Sequence, residues 1–229
     1  MKVSKFAVLA LALLLFTASS CITPRKLDKK IGEYYGNTVP AKGRKSDFIN
    51  FQFENTIPET RPSSSAKTRN KVVPALFYWK WDLAQTATLN SMMPMGNFTS
   101  SFVTEANAKK LKEKLNGATI DITIKTNPGD FHVRDQGWLV YLLVAYVGKD
   151  KFYVDPVHAQ FSVAYTVNYP SGEKKSGSLS TENINMKKTP RFFQSFKGMV
   201  SEYLTASDAN IKIMAKDLAT QLYTELVKE

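Results

Sequence analysis

The chain of 229 residues has few of the side chains from which metal sites and covalent catalytic sites are built. It contains one cysteine, Cys21, and two histidines, His132 and His158. No internal disulfide is possible, and neither histidine has a partner at the spacing of a zinc site. A G-x-S-x-G nucleophile motif and a glycine-rich phosphate loop after a strand are also missing. We therefore expect no enzyme, no cofactor and no bound metal.

Three aspartates remain as candidates for acid chemistry. Asp130, Asp135 and Asp155 flank the predicted central strands. A pair of carboxyl groups that hydrolyses a glycosidic bond must lie about 5 to 10 Å apart. Nothing in the sequence sets such a distance, so turn and loop positions explain these residues better than catalysis.

The composition excludes several other classes of protein. With 43% hydrophobic and 22% charged residues, the chain is neither a disordered polymer, nor a collagen-like repeat, nor a disulfide scaffold. Its longest apolar runs, Phe6–Phe16 and Trp138–Val147, are shorter than the roughly 20 residues of a membrane-spanning helix. The length fits one domain with appendages or two small domains.

The N-terminus has the three parts of a secretory signal. A basic start with Lys2 and Lys5 precedes the apolar core, and small residues follow it. Residues 1–20 are therefore predicted to be a signal peptide. Ala18-Ser19-Ser20-Cys21 resembles the lipobox of bacterial lipoproteins, although the usual box has leucine where this chain has Ala18. The resemblance implies that Cys21 becomes the first mature residue and carries lipid, palmitate included. The alternative is a cleaved signal that happens to be followed by a cysteine.

Lipid on Cys21 would hold the protein on a bilayer, because several acyl chains bind persistently where one binds marginally. Ile22 replaces the aspartate that retains many such lipoproteins in the inner membrane, and Thr23–Lys26 lacks an acidic run that resembles a surface-export tag. We expect a lipid anchor in the outer membrane of a Gram-negative cell, on the periplasmic face.

Positive charge is concentrated next to this cysteine. The net charge is +6 over residues 22–71 and only +3 over residues 72–229. A domain that binds nucleic acid carries its positive charge on the fold itself, so nucleic acid is not an expected partner. Residues 21–71, rich in Pro and Gly, are predicted to be a basic tether with one short strand at Phe48–Glu54. Its charge suits an anionic surface or a solvated linker equally well.

Residues 72–229 are predicted to form an α+β domain whose helices pack on one face of an antiparallel sheet. Alternation predicts strands at Val73–Trp81, Ile120–Ile124 and Ala159–Val167, and a hairpin return at Lys174–Thr181. The apolar run Trp138–Val147 predicts a central strand covered on both faces, followed by a turn at Gly148–Asp150. Helices are predicted from Ser101 or Thr104 to Leu115, over Phe192–Tyr203, and from Ser207 to Leu226; Asp82–Ser100 is predicted to be a loop.

Two clusters suggest contact with a partner or ligand. Four aromatics fall within five positions at Phe77–Trp81, and Tyr78 and Trp79 must face opposite sides of a strand. At least one ring then lies away from the core, unless helices and tether bury both. Met92, Met93 and Met95 suggest a flexible contact surface more than a copper site, because no Cys or His lies nearby.

The order of elements resembles that of small outer-membrane lipoproteins that assist envelope transport. These are the auxiliary lipoproteins of ABC-type lipid transporters and the lipopolysaccharide-assembly lipoproteins. The resemblance covers residues 72–229, with Ser207–Leu226 the most similar stretch. It implies a non-enzymatic accessory in envelope assembly or lipid transport, with an envelope protein as partner and membrane lipid bound through acylated Cys21. A module that binds a glycan or a lipid is the alternative.

Overall fold

The computed structural model describes residues 23–39, 44–53, 57, 60–126, 128–142, 145–183, 186–191 and 194–227. The predicted signal peptide and Cys21 lie outside these residues. Strands β1 to β8 span Ile49–Phe53, Ser63–Pro74, Tyr78–Leu89, Thr119–Ile124, Phe131–Leu142, Ala145–Pro156, Gln160–Asn168 and Lys174–Glu182. Helices α1 to α4 span Pro24–Tyr34, Met92–Ala108, Leu111–Lys114 and Phe196–Val227. The predicted α+β class is confirmed, with two sheets where the sequence predicted one.

Sheet A has the strand order β1-β4-β7-β8. β1 runs parallel to β4, and the other neighbours are antiparallel. Its buried face follows the predicted alternation, since Ile120 pairs with Val167 and Ile122 pairs with Tyr165. Helix α2 and the second half of α4 cover this face. The predicted stripe of α4 is confirmed from Ile211 to Leu222, and its members are buried.

Sheet B has the strand order β2-β3-β5-β6 and consists of two long antiparallel hairpins. Its inner face, which carries Leu89, Val133 and Val154, packs on α1 and on the first half of α4. Phe131 stacks on Tyr203 of α4, with ring centroids 4.8 Å apart. The helices cover only the lower part of this face. At the upper end of the sheet, apolar side chains are exposed on both faces.

That upper end contains the main differences from the predicted strands. β2 ends at Pro74 and β3 begins at Tyr78, so the strand predicted over Val73–Trp81 contains a turn. The prediction of one strand is wrong because apolar residues continue through this turn and the alternation shows no break there. β3 then extends to Leu89, across much of the predicted loop, because every second residue of its lower half faces the helices.

The apolar run Trp138–Val147 is not a central strand. β5 ends at Leu142 and β6 begins at Ala145, and the predicted turn Gly148–Asp150 lies inside β6. Tyr141 and Val147 are exposed. Apolar side chains on both faces of a strand usually indicate that both faces are buried. Here both faces are exposed at the end of the sheet.

The boundaries of the helices also differ from the predicted ones. α2 begins at Met92 rather than at Ser101 or Thr104, while Asn116 and Gly117 adopt positive φ angles at the predicted stop. One continuous helix, α4, replaces the two predicted terminal helices. Ser207 is buried inside it and caps nothing. No helix among the described residues is both long and apolar enough to cross a membrane.

The described part of the predicted tether, residues 21–71, supplies α1, β1 and most of β2. β1 is the strand predicted within Phe48–Glu54. Leu27 and Ile31, one turn apart on α1, are fully buried. The predicted boundary between residues 71 and 72 lies inside β2, which pairs with β3 on both sides of it.

Candidate functional site

An apolar groove opens on the inner face of sheet B, above the part that α1 and α4 cover. Its volume is about 730 Å³, within the range of small-molecule sites. The apolar part of its lining comes from all four strands, through Val72, Trp79, Trp81, Leu83, Val133, Leu139 and Phe152. Lys67, Asp135 and Asp150 add charged groups, and Thr23 and Pro24 at the start of α1 complete the wall.

Strand register explains why these residues share one face. Trp81 on β3 pairs with Gly137 on β5, and Gly137 pairs with Asp150 on β6. Two positions further along, Leu83 pairs with Asp135, which pairs with Phe152. Side chains alternate between faces along a strand, so both rows point into the groove.

Gly137 lets the Trp81 indole lie across β5. A Cβ atom at Gly137 would stand 2.2 Å from the Trp81 ring and 2.7 Å from the Lys149 carbonyl oxygen. Any side chain there would displace the indole and push on the neighbouring strand. The Trp81 Nε1–H also donates a hydrogen bond to Asp135 Oδ1 at 2.7 Å. Trp81 is thus fixed as part of the groove floor.

Asp135 and Asp150 form a carboxyl pair at the edge of the groove. Partial burial raises the pKa of Asp150, and the charge of Asp135 and a hydrogen bond between the two side chains raise it further. Two carboxyl groups that interact directly do not ionise independently of each other. The groove therefore combines an apolar floor with charged and polar groups at its edge.

The other two predicted acids lie elsewhere. Asp130 precedes β5 and accepts a hydrogen bond from the Leu89 N–H at 3.2 Å. Asp155 lies on the outer face of sheet B, with Arg134 Nε 4.0 Å from its carboxylate. Asp135 is thus paired with Asp150 and with neither of the acids that the sequence suggested.

Helix α1 is held tightly against the edge of the groove. Asp28 accepts hydrogen bonds from the Ser63 and Ser65 hydroxyls, each at 2.7 Å, and from the Ser65 N–H at 3.2 Å. The hydroxyls of Tyr34 and Tyr35 donate to Asp208 on α4 at 3.4 and 3.3 Å. These contacts, with the burial of Leu27 and Ile31, hold the start of α1 beside the groove.

The predicted contact residues divide into two groups. Tyr78 and Trp79 lie at the exposed upper end of sheet B, and Trp79 lines the groove while remaining 52% exposed. Met92, Met93 and Met95 form the first turn of α2. Met93 and Met95 are buried, which corrects the prediction of a methionine contact surface: α2 begins earlier than expected and turns these side chains towards the core.

Both histidine residues take part in hydrogen bonds. His132 Nδ1 lies 2.9 Å from the Thr86 hydroxyl on the outer face of sheet B, and partial burial lowers its pKa. The His158 carbonyl accepts a hydrogen bond from Asn183. Over the described part of the chain, no three His, Cys, Asp or Glu side chains cluster in a way that would hold a metal ion.

No family model matches the chain, and neither the curated proteins nor the solved structures contain a match. The resemblance in element order to envelope lipoproteins stays a prediction.

The sequence pattern does not indicate Asp150, Gly137 or Trp81 as groove residues. It predicts a turn at Asp150, it makes Trp81 one aromatic of a cluster, and it predicts no role for Gly137. One signal was present: Asp150, Phe152 and Val154 continue an alternation that a turn at Gly148–Asp150 would interrupt. The pairing of Trp81 with Gly137 depends on strand register, which the sequence does not determine.

Proposed function

We propose that the protein is a lipid-anchored lipoprotein on the periplasmic face of the outer membrane, which binds an acyl chain of a lipid in the groove of sheet B. It acts there as a non-enzymatic accessory in lipid transport or envelope assembly. The observation that carries the proposal is an open apolar groove whose wall includes Thr23 and Pro24, two and three residues after the predicted lipidated cysteine.

The chemistry of the groove favours an acyl chain over a glycan. Leucine, valine and phenylalanine side chains line the floor beside two indoles. A sugar needs many hydrogen-bonding partners around each ring, whereas an acyl chain needs none. Lys67 and the Asp135–Asp150 pair supply polar groups at the edge, as a lipid with one polar end requires.

The start of the fold supports an anchor beside this groove. Cys21 precedes Thr23 by two residues, and two residues of extended chain span at most about 7 Å. An acyl group on Cys21 would therefore extend from the protein at a point next to the groove. The outer-membrane location rests on the residues that follow the cysteine, Ile22 and the basic Thr23–Lys26 segment.

The carboxyl pair supports a binding role rather than glycoside hydrolysis. The two carboxyl groups of a glycosidase stand about 5 to 10 Å apart so that a sugar or a water fits between them. Asp135 and Asp150 instead lie close enough to interact with each other directly.

The test is binding of a fluorescent fatty acid to the mature chain, residues 21–229, carrying Cys21→Ser. Leu83→Glu places a charge on the groove floor and should weaken binding about tenfold or more, because a charge is poorly solvated among apolar side chains. Thr88→Glu is the matched control: it lies on the same strand, β3, but faces outward, and it should bind like the parent.

Lipids that co-purify with the protein in mild detergent, identified by mass spectrometry, should include an acyl lipid that Leu83→Glu loses. Equal binding by Leu83→Glu and the parent, or no binding by the parent, would overturn the proposal. Binding by the Cys21→Ser chain but not by the lipidated protein would assign the groove to the protein's own acyl group rather than to a transported lipid.

A further inference from the structure

Among the described residues, eight of the nine large apolar side chains that are exposed lie at the upper end of sheet B. We define the apolar tip as residues 72–79 together with the strand ends 138–142 and 145–148. Within it, Leu76 is 85% exposed, Val147 55%, Val73 54% and Phe77 48%. The Tyr141 N–H donates to the Phe77 carbonyl at 2.8 Å, so the two hairpins are joined at their ends and present one continuous surface.

The tip is apolar on both faces. Trp79 and Leu139 pair on the inner face, while Tyr78 and Val140 pair on the outer face. A protein that docks on a sheet covers one face or one edge and leaves the opposite face polar. Lower on the outer face the surface is polar, where Asp82 bonds to Arg69 and Gln136 at 2.7 and 2.9 Å. A sheet end with apolar side chains on both faces is best accommodated by an environment that is apolar on every side.

A row of lysines lies at the base of the tip. Lys80 pairs with Val73 and Trp138 across the sheet, and Lys149 pairs with Trp138. Lys71 and Lys151 lie on the same outer face, and all four lysines are exposed. Within the described residues, none of the four forms a salt bridge. On the inner side, Arg25 and Lys29 are exposed on α1, next to the groove.

The dimensions match one leaflet of a bilayer. Ala145 lies four residues beyond Lys149, which is about 13 Å of extended strand. Half of a hydrocarbon core is about 15 Å thick. Tryptophan and tyrosine prefer the boundary between hydrocarbon and headgroups. Trp138 lies in the row of Lys80 and Lys149, and Trp79 and Tyr78 lie one and two positions nearer the end of the tip.

We propose that the apolar tip inserts into one leaflet of an anionic lipid bilayer, with the lysine row at the headgroups. The tip and the groove share Val72, Trp79 and Leu139. Leu76 and Phe77 belong to the tip alone and Leu83 to the groove alone, so the two contacts can be tested independently. Insertion of the tip is separate from the acyl anchor, because it needs no lipid on Cys21.

The test uses the full mature chain with Cys21→Ser, so that no acyl group contributes to binding. Sedimentation with vesicles of phosphatidylglycerol and phosphatidylcholine measures affinity, and quenching of tryptophan by brominated phosphatidylcholine measures insertion. All three tryptophans, Trp79, Trp81 and Trp138, lie in or beside the tip. The parent should bind with its tryptophans quenched, and rising salt should weaken the binding.

The double variant Leu76→Asp/Phe77→Asp should bind about tenfold more weakly for each substituted side chain and should lose the quenching. Ile213→Asp is the matched control, because Ile213 is 54% exposed on α4, far along the chain from the tip; it should bind like the parent. Lys80→Glu/Lys149→Glu should weaken binding only where phosphatidylglycerol is present. Thermal melts should match the parent, because the substituted side chains are exposed.

Absence of binding by the parent would overturn the proposal, as would equal binding by the parent and the Leu76→Asp/Phe77→Asp variant. So would self-association of the parent in solution that this variant abolishes, because the tip would then be an interface between two copies. Leu83→Glu should still bind vesicles, and Leu76→Asp/Phe77→Asp should still bind the fatty acid, so failure of one proposal is distinguishable from failure of the other.

Discussion

The carboxyl group of Asp130 should make the protein less stable as pH rises from acidic to neutral. Burial raises the pKa of Asp130 from its ordinary 3.8 to about 7, and the single hydrogen bond from the Leu89 N–H only partly offsets this. At pH values between 3.8 and about 7, the folded protein holds a proton on Asp130 that the unfolded chain has lost. Because the folded state binds more protons, the free energy of unfolding falls as pH rises through this window and levels off above pH 7.

The size of the effect follows from the width of the window. Each pKa unit corresponds to about 1.4 kcal/mol, so about 3 units give on the order of 4 kcal/mol in full. Between pH 5 and pH 8, where a measurement is practical, the loss from this one group is about 2.5 kcal/mol. Asp130→Asn should remove it, because an amide does not titrate and its oxygen can still accept the hydrogen bond from Leu89.

The assay is urea denaturation of the parent and of Asp130→Asn at pH 5 and pH 8. The variant should be about as stable as the parent at pH 5 and more stable by about 2 to 3 kcal/mol at pH 8. Glu113→Gln, at an exposed position on α3, removes a carboxyl group that is not buried. The free energy of unfolding of this variant should change with pH as that of the parent does. A difference between Asp130→Asn and the parent that does not vary with pH would refute the reasoning.

Three further predictions concern the anchor, the core and the attachment of α1. Cys21→Ser should move the protein from membranes to the soluble periplasm or leave it uncleaved, and a fatty-acid label that persists in this variant would contradict acylation at Cys21. Leu218→Asp should unfold the protein, because a buried charge adds to the roughly 2 to 5 kcal/mol of lost packing. Lys216→Asp, at an exposed position on the same helix, should have the same melting temperature as the parent. Equal melting temperatures for the two variants would mean that the apolar stripe is not part of the core. Asp28→Ala removes three hydrogen bonds between α1 and β2 and should cost about 1 to 3 kcal/mol, with faster hydrogen exchange in α1; unchanged exchange would show that the apolar contacts of α1 suffice.

The sequence predicted strands well where one face of a sheet is buried and the other is polar. In Ile120–Ile124 and Phe161–Val167 the apolar positions alternate with polar ones, and burial follows that alternation. At the apolar tip both faces are apolar, so alternation carries no information. The pattern of apolar residues therefore did not predict the turn between Pro74 and Tyr78 or the end of β5.

The groove was beyond prediction for a different reason. Its floor combines residues from four strands, and the contact between Trp81 and Gly137 arises only when β3 and β5 pair in one particular register. A shift of one residue would turn Trp81 to the outer face. A single sequence contains each of these residues but not the alignment of the strands, so Asp150 could not be recognised as the partner of Asp135.

The two proposals together imply an orientation on the membrane. Thr23, at the start of α1, and Trp79 and Leu139, at the base of the tip, line the same groove. If the tip lies in one leaflet and the chain before Thr23 carries the anchor, the groove opens at the level of the headgroups. An acyl chain could pass from the leaflet along Trp79 to the floor at Trp81 and Leu83 without crossing water, which would avoid most of the roughly 0.8 kcal/mol per methylene that exposure costs. The groove and the tip are therefore expected to act in sequence, and a tip variant should slow loading of the groove from vesicles while leaving its affinity for free fatty acid unchanged.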